Sequence, residues 1–429
     1  MEAKNQEDYC VTIPLLFGKG DVGGTNKVEK ELYSNMGTTS FISTCFNCLN
    51  ALSGVGILSI SYALASGGWL SLILLFVIAS STFYTGLLIQ RCMEIDPMIT
   101  SYPDIGERAF GKTGRTIVST TMNVELYLVA TGFLILEGDN MCNLFPDMDF
   151  DIYGTRIGTK SVFVVLVAII IFPTNWFNSM KLLSYVSASG VLASMIILGS
   201  IFWAGAVDGV GFQQKGQLIN WNGLPSAISL YAFCYCAHPV FPTLYTSMRN
   251  QHQFPKVLLL SFVLCTATYS IMAITGYLMF GQELESQITL NLSTTNISSK
   301  LAICTALVTP IAKYALMLTP IVNSIEAKFQ SSYNKRMHSF LIRTILMIST
   351  VVVALSLPFF GYLMSLVGAL LSATTSITIP CLCYLKICGG CSKKRIGLEM
   401  MIVGFIALIG LIVAVVGTYV SLVDIITNL

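Results

Sequence analysis

Three ionisable residues, Glu125, His238 and Lys313, interrupt otherwise apolar stretches of this sequence. A carboxyl, imidazole or ammonium group in such surroundings is expensive to bury and can take up or release a proton. Thr305 and Thr309 precede Lys313 at four-residue spacing, which places the three side chains on one helix face as a polar stripe. These groups point to proton transfer inside a membrane, provided that suitable elements hold them.

Each ionisable residue also has a structural alternative. Lys313 could be a fixed cation that ties backbone carbonyls together, and Glu125 could be an internal hydrogen-bond partner. His238 would titrate across the pH range of an acidic compartment, but a histidine beside Pro239 could serve structure alone. The candidate proton-coupling residues are Lys313, Glu125, His238 and Thr309.

The elements that hold these residues are predicted to be membrane-spanning helices. Of the 429 residues, 54% are hydrophobic and 11% are charged, whereas about a quarter of a soluble domain is charged. Apolar segments long enough to cross a bilayer lie at about 38–66, 69–92, 115–142, 161–178, 182–207, 222–247, 256–280, 300–327, 339–361, 363–386 and 397–425. The sequence therefore predicts an all-α polytopic membrane protein with eleven transmembrane helices.

The loops between these segments predict the orientation. With the amino terminus in the cytosol, fourteen Lys and Arg residues fall in cytosolic loops and four on the opposite side. Two sequons, at Asn291 and Asn296, are predicted glycosylation sites in a non-cytosolic loop. Glu137 and Asp139 are expected to form a solvated helix end at that side. After eleven spans the carboxyl terminus is lumenal.

The segments divide into two halves of five with one helix left over. Residues 1–36 are predicted to be a disordered cytosolic tail, 37–207 the first five-helix repeat and 208–388 the second. Residues 389–429 are predicted to form a cytosolic loop and the eleventh helix. Because five is odd, the halves insert in opposite directions, and secondary transporters of this plan interrupt the first and sixth helices near the midplane.

Both of these segments contain residues that break helices. Gly54 and Gly56 lower the helix propensity of the first segment. In the sixth, Pro239 removes a backbone donor and disfavours helix at His238. Proline also interrupts other segments, where a kink can serve packing. The sixth segment differs because its proline accompanies two tyrosines, two cysteines and a histidine, so we expect a discontinuous helix in each half.

The two breaks would supply groups for a zwitterionic substrate. Backbone amides at the start of a half-helix suit a carboxylate, and carbonyls and hydroxyls of the third and sixth segments suit an ammonium group. Tyr127 and Thr131 share one helix face while Glu125 points about 200° away, so we assign the first two to substrate and Glu125 to coupling or helix contact. The predicted substrate-binding residues are Asn50, Ser53, Gly54, Val55, Gly56, Tyr127, Thr131, Tyr231, Phe233, Tyr235 and Cys236.

Several motifs resemble the amino acid/auxin permease family, and within it the plant vacuolar amino-acid transporters, relatives of the vesicular inhibitory amino-acid transporter. These motifs are the first segment, Ser101-Tyr-Pro-Asp-Ile-Gly106 with Phe110-Gly111, the run from Glu125 to Asn140, and Lys313-Tyr-Ala-Leu316. The resemblance runs from about residue 36 to the end. It implies a leucine-transporter-like 5+5 inverted repeat plus one extra helix, with proton-coupled amino-acid transport. One departure is Ser61, where the family usually has proline and where we expect a milder bend.

The sequence therefore predicts a secondary transporter that moves small neutral amino acids with protons across the vacuolar membrane by alternating access. We expect a monomer in the lipid bilayer with no enzyme activity, no cofactor, no metal site and no nucleic-acid partner. The Cys388–Cys391 pair lacks the further ligands of a zinc site. An amino-acid sensor with the same fold and a plasma-membrane importer are the alternatives.

Overall fold

The computed structural model describes residues 37–146, 148, 150–152, 155–173, 180–326, 335–357, 359–388 and 396–428. The predicted tail at 1–36 and Cys391 lie outside these residues.

The first part of the chain is helical apart from one short hairpin. Its elements are α1 (Phe41–Leu52), α2 (Gly56–Gly67), α3 (Ser71–Ile95), α4 (Tyr102–Leu144), β1 (Phe150–Ile152), β2 (Thr155–Ile157), α5 (Thr159–Ile171) and α6 (Met180–Ala206). Strands β1 and β2 pair antiparallel.

The second part is also helical. Its elements are α7 (Leu224–Cys234), α8 (Phe241–Ser247), α9 (Phe254–Phe280), α10 (Ile297–Glu326), α11 (Lys335–Ser356), α12 (Phe360–Leu366), α13 (Ile379–Cys388) and α14 (Ile396–Asn428). Short 3₁₀ turns occupy His238–Val240, Gln251–Gln253, Gly281–Glu283 and Ile288–Asn291. Two π-helical stretches, Val367–Ser372 and Thr374–Thr378, join α12 to α13.

The helices confirm a polytopic membrane protein. Within the described ranges, nine helices are long and apolar enough to cross a bilayer, and the number becomes ten if α1 and α2 form one span. Helix α5, with 13 residues, is apolar but shorter than these. The eleventh crossing predicted from the sequence therefore stays a prediction.

Both predicted helix breaks are present. Helices α1 and α2 meet at an angle of 49°, and the three residues between them include Gly54. In the sixth segment α7 ends at Cys234, and helix resumes as the His238–Val240 turn followed by α8. Pro239 lies at the start of that turn, where its missing N–H leaves no helical hydrogen bond unmade. The interruption therefore precedes the proline.

The four half-helices occupy the centre of the bundle. Helix α2 packs against α7 and α9, and α1 packs against α9 and α6. Helix α10 lies alongside both α6 and α4, which brings its polar stripe toward the first break. Buried tyrosines fill much of this core, among them Tyr231 and Tyr269, both with no exposed surface. Their hydroxyls need partners inside the bundle.

Helix α4 joins a short amphipathic helix to the predicted third span. Its first residues follow a capping arrangement in which the Asp104 carboxylate accepts a hydrogen bond from the backbone N–H of Ser101 (2.8 Å). Gly111, with φ of +67°, bends the chain there. This left-handed conformation suits glycine because it has no Cβ, and it divides α4 into a short first part and the third span.

Candidate functional site

Lys313 lies against the first helix break. Its Nζ donates hydrogen bonds to the carbonyl oxygens of Asn50 (3.1 Å) and Ser53 (3.2 Å), and the residue is 4% exposed. The last carbonyls of a helix lack intrahelical partners and carry partial negative charge. The ammonium group therefore closes the carboxyl end of α1 with both hydrogen bonds and charge.

The other members of the polar stripe bond within their own helix. The Thr305 hydroxyl donates to the carbonyl of Leu301 (2.7 Å), and the Thr309 hydroxyl donates to that of Thr305 (3.4 Å). Thr309 nevertheless lies beside the break, where it lines a cavity of about 10 Å³ together with Gly54. That volume holds about one water molecule. The break is thus closely packed on the α10 side, and Lys313 alone of the stripe hydrogen-bonds to α1.

The two breaks contact each other through Gly56 and Cys234. A Cβ atom built on Gly56 would lie 2.8 Å from the Cys234 sulfur and 3.2 Å from the Cys234 Cα. The Cys234 thiol also donates to the Gly56 carbonyl at 3.6 Å. Glycine is therefore required at position 56 for the start of α2 to pack directly on the end of α7.

A tyrosine that the sequence analysis missed joins the same two ends. The Tyr269 hydroxyl lies 2.6 Å from the carbonyl oxygen of Leu52 and 3.3 Å from that of Cys234, which are the last residues of α1 and α7. One hydroxyl proton can thus be shared between the two interrupted helices. The buried position of Tyr269 in α9 has no distinctive spacing in the sequence, so only the packing reveals it.

Glu125 contacts the second break and the π-helical stretches. Its carboxylate accepts hydrogen bonds from the Cys236 thiol (2.9 Å), the Ser372 hydroxyl (2.7 Å) and the Thr375 hydroxyl (2.9 Å), and the residue is 1% exposed. Ser372 and Thr375 were not among the predicted site residues. The hydroxyl-rich run Ser372-Ala-Thr-Thr-Ser376 inside an apolar segment was the signal that could have identified them. Rare π-helical turns often occur at functional sites.

One ring nitrogen of His238 connects the second break to α3. Nε2 lies 2.9 Å from the Thr85 hydroxyl and 3.0 Å from the Thr82 carbonyl. Because a carbonyl only accepts, Nε2 must carry the hydrogen. The Thr85 hydroxyl in turn donates to the Ser376 carbonyl (2.7 Å). Nδ1 has no hydrogen-bond partner within the described residues, so the geometry fits the neutral Nε2–H tautomer and favours the structural interpretation of His238.

The aromatic residues of the sixth segment that were predicted to bind substrate are buried, and the two tyrosines contact hydroxyl groups of other helices. The Tyr231 hydroxyl lies 3.0 Å from that of Ser71, and the Tyr235 hydroxyl donates to Thr266 (2.9 Å). Phe233 is 7% exposed. The structure therefore brings Asn50, Ser53, Gly54, Val55 and Gly56 together at the first break, and places these aromatic side chains in the packing around it.

Two residues that the sequence analysis assigned to different roles are in direct contact. Cys236, predicted for substrate, donates to Glu125, predicted for coupling, so the two groups are not separated. On the face of α4 opposite Glu125, the Thr131 hydroxyl donates to the backbone carbonyl of Tyr127 (3.0 Å). The Tyr127 residue is half-buried. The hydroxyl assigned to substrate is thus occupied within its own helix.

One further expectation was wrong. Glu137 is not at a solvated helix end, because it has no exposed surface and neither carboxyl oxygen has a hydrogen-bond partner among the described residues. At Ser61, where a milder bend was expected, α2 continues without interruption. The Ser61 hydroxyl instead donates to the Met272 carbonyl (2.8 Å), which ties α2 to α9.

The sequon asparagines lie in the loop between α9 and α10. The Asn291 side chain donates to the Glu283 carbonyl (2.9 Å) and accepts from the backbone N–H of Glu285 (3.0 Å), so it stabilises the loop. Asn296 is half-buried just before α10. Glycosylation at either position stays a prediction.

Comparison with known proteins places the chain in a family. The family described as "Transmembrane amino acid transporter protein" matches residues 37–423. The chain belongs to this family. Two members from Arabidopsis thaliana, the amino acid transporters AVT1I and AVT1J, are 58% and 57% identical over 393 and 395 residues. The alignments cover 91% and 92% of the chain and 96% and 93% of those relatives. These relatives are named as transporters, and the chain is accordingly not an enzyme.

A solved structure identifies the fold of this family member. The substrate-bound outward-open state of a Na⁺-coupled sialic acid symporter superposes with a TM-score of 0.55 and 14% identity, covering 89% of each chain. At that identity the likeness concerns the fold alone. The leucine-transporter-like fold predicted from the sequence is thereby confirmed.

Proposed function

We propose that the chain is a proton-coupled secondary transporter of small neutral amino acids in the vacuolar membrane, with a cytosolic amino terminus. The observation that carries the proposal is the contact between the buried Lys313 ammonium group and the carbonyls of Asn50 and Ser53 at the end of α1. The names of AVT1I and AVT1J support an amino-acid substrate. The resemblance to plant vacuolar transporters and the basic loops support the location and orientation.

Proton binding at Lys313 would be linked to the position of α1. The charged ammonium group donates to both carbonyls and is attracted to the negative end of the helix. The neutral amine loses that attraction. Among the described residues no carboxylate forms an ion pair with Lys313, so its charge is compensated by helix carbonyls. A conformation that separates α1 from α10 would therefore change the affinity of Lys313 for this proton, and the two equilibria are coupled.

Glu125 would respond to a proton at the second break. As a carboxylate it accepts hydrogen bonds from Cys236, Ser372 and Thr375. Protonation converts one oxygen into a donor, so the hydrogen-bond arrangement between α4, the second break and the π-helical stretches would have to change. This makes Glu125 the second proton-coupling candidate, behind Lys313.

The substrate would bind at the first break. Backbone amides around Gly54 and at the start of α2 suit an amino-acid carboxylate. The cavity there holds about one water, so binding an amino acid requires the half-helices to separate. Such a separation is part of alternating access, the transport mechanism of inverted-repeat transporters.

Uptake into proteoliposomes with an imposed pH gradient tests the proposal. Radiolabelled L-alanine uptake is measured with the interior acidic, the exterior acidic and no gradient. We expect gradient-dependent uptake in the wild type and its loss in Lys313→Met, which keeps the side-chain length without the charge. Lys300→Met is the matched control, because Lys300 lies exposed in the same helix. Full gradient dependence in a correctly folded Lys313→Met protein would contradict the proposal.

A further inference from the structure

A second and larger cavity lies beyond the first break. Its volume is about 250 Å³, against about 10 Å³ at the break itself. It is lined by residues of α2, α4, α5, α12 and the loop between α9 and α10. Tyr62 lies six residues after Gly56, or about 9 Å along the helix axis. We call this cavity the distal pocket; the side chains that matter here are Tyr62, Asp139, Lys160, Glu285, Phe359 and Tyr362.

The distal pocket contains charges of both signs. Asp139 of α4 and Lys160 of α5 form an ion pair, and their side chains are 15% and 30% exposed. Asp139 also accepts from Gln287 (3.2 Å). Glu285 is exposed and forms no ion pair with any described residue. Among the described lining residues, one cation and two carboxylates give a formal charge of −1, which favours a ligand that carries an ammonium group.

Aromatic rings complete the wall of the pocket. Tyr62, Phe359 and Tyr362 line it, and the rings of the last two lie 5.8 Å apart. The face of an aromatic ring attracts a cation, which adds to the effect of Glu285. An ammonium group is therefore favoured by both the charge and the ring surfaces, while Lys160 offers a partner for a carboxylate.

Three elements pack closely at Gly361, which lines the distal pocket. A Cβ atom built on Gly361 would lie 2.8 Å from the Ser286 Cβ and 3.3 Å from the Tyr62 ring. Helix α2, the loop and helix α12 thus meet at this point. Because Tyr62 belongs to the half-helix that begins at the break, movement of α2 would alter both cavities.

We propose that the distal pocket is a second amino-acid binding site, apart from the one at the break, which favours a ligand rich in ammonium groups. The α-ammonium group contacts Glu285 and the aromatic wall, and the α-carboxylate faces Lys160. The inference rests on the proposed function only in taking an amino acid as the ligand. The net charge of the distal pocket makes L-lysine the best ligand, L-alanine intermediate and L-glutamate the poorest.

The Gly56→Val variant blocks the central site, because the added side chain collides with Cys234 there. Equilibrium binding of tritiated L-lysine, L-alanine and L-glutamate is measured on the full chain in nanodiscs. We expect Gly56→Val to retain one site with the order of affinity given above. Adding Glu285→Gln should weaken L-lysine binding about fivefold, the upper end for a solvent-exposed charge pair. Adding Glu285→Lys should place L-glutamate ahead of L-lysine.

The charge change at Glu285 has a matched control in Glu283→Lys. Both residues are exposed in the same loop, but only Glu285 lines the pocket. The loop contact made by Glu285 uses its backbone N–H, so the substitution leaves it in place. The inference is overturned if neither the wild type nor Gly56→Val binds L-lysine more tightly than L-glutamate, or if Glu285→Lys and Glu283→Lys give the same order of affinity. Retained binding to Gly56→Val together with gradient-independent alanine uptake by the wild type would contradict the proposed function while supporting the distal pocket.

Discussion

Replacing Gly56 by alanine adds a single methyl group at the contact between the two broken helices. That methyl group would lie 2.8 Å from the Cys234 sulfur, 3.2 Å from the Cys234 Cα and 3.2 Å from the Tyr269 hydroxyl. Favourable contacts between heavy atoms lie near 3.5–4.0 Å, so at least one half-helix must move by several tenths of an ångström. Overpacking of this kind destabilises a protein by about 1–3 kcal/mol.

Gly54 provides the control within the same break. A Cβ atom built there meets nothing within 4 Å, and its φ is outside the left-handed region. Gly54→Ala should therefore keep its stability or gain up to about 1 kcal/mol, because alanine restricts the unfolded chain. The two substitutions change the composition identically, so a difference between them reports the packing of Gly56 on Cys234.

The assay combines thermal unfolding in detergent with L-alanine uptake into proteoliposomes. We expect Gly56→Ala to lower the unfolding temperature and slow uptake, and Gly56→Val to abolish uptake in a protein that still folds. Gly54→Ala should keep the unfolding temperature of the wild type. Equal unfolding temperatures of Gly56→Ala and Gly54→Ala would refute the reasoning. Full uptake by Gly56→Val would refute the location of the substrate site as well.

Two further predictions concern the groups around the breaks. Tyr269→Phe removes the hydroxyl shared by the ends of α1 and α7, and should both slow uptake and destabilise the protein by about 1 kcal/mol. The control is Tyr314→Phe, which removes a buried hydroxyl away from the breaks. It should give a similar loss of stability in thermal unfolding with normal uptake. His238→Gln keeps a nitrogen donor toward Thr82 and should leave the pH profile of L-alanine uptake unchanged; a shifted profile would restore His238 as a proton-coupling residue.

Residue chemistry made the two helix breaks predictable. The glycine pair and the His238-Pro239 dipeptide act locally on backbone conformation, so a single segment carries the signal. The sequence did not predict that the second interruption lies before Pro239 rather than at it. A proline is acceptable in the first turn of a helix, and the chain uses Pro239 to begin the His238–Val240 turn.

Contacts between distant segments were harder to predict. The spacing of Thr305, Thr309 and Lys313 indicated a polar face, and the structure shows that only Lys313 reaches α1. Helical periodicity also separated Glu125 from Tyr127, but it could not show that Cys236 and the π-helical stretches approach Glu125. Side chains that meet although hundreds of residues separate them leave no pattern in a single sequence. A π-helical turn also departs from 3.6 residues per turn, the period from which helix faces were predicted.

The central claim is that Lys313 carries the transported proton, and arginine at this position tests it most directly. Arginine keeps a positive charge and hydrogen-bond donors for the carbonyls of α1, but it does not lose its proton at physiological pH. The measurement is proton movement across proteoliposomes, followed with a trapped pH dye while L-alanine is transported.

We predict that the wild type moves protons with L-alanine, and that Lys313→Arg exchanges labelled for unlabelled L-alanine without net proton movement. Proton movement by Lys313→Arg equal to that of the wild type would show that Lys313 is a fixed structural cation, and would contradict the account.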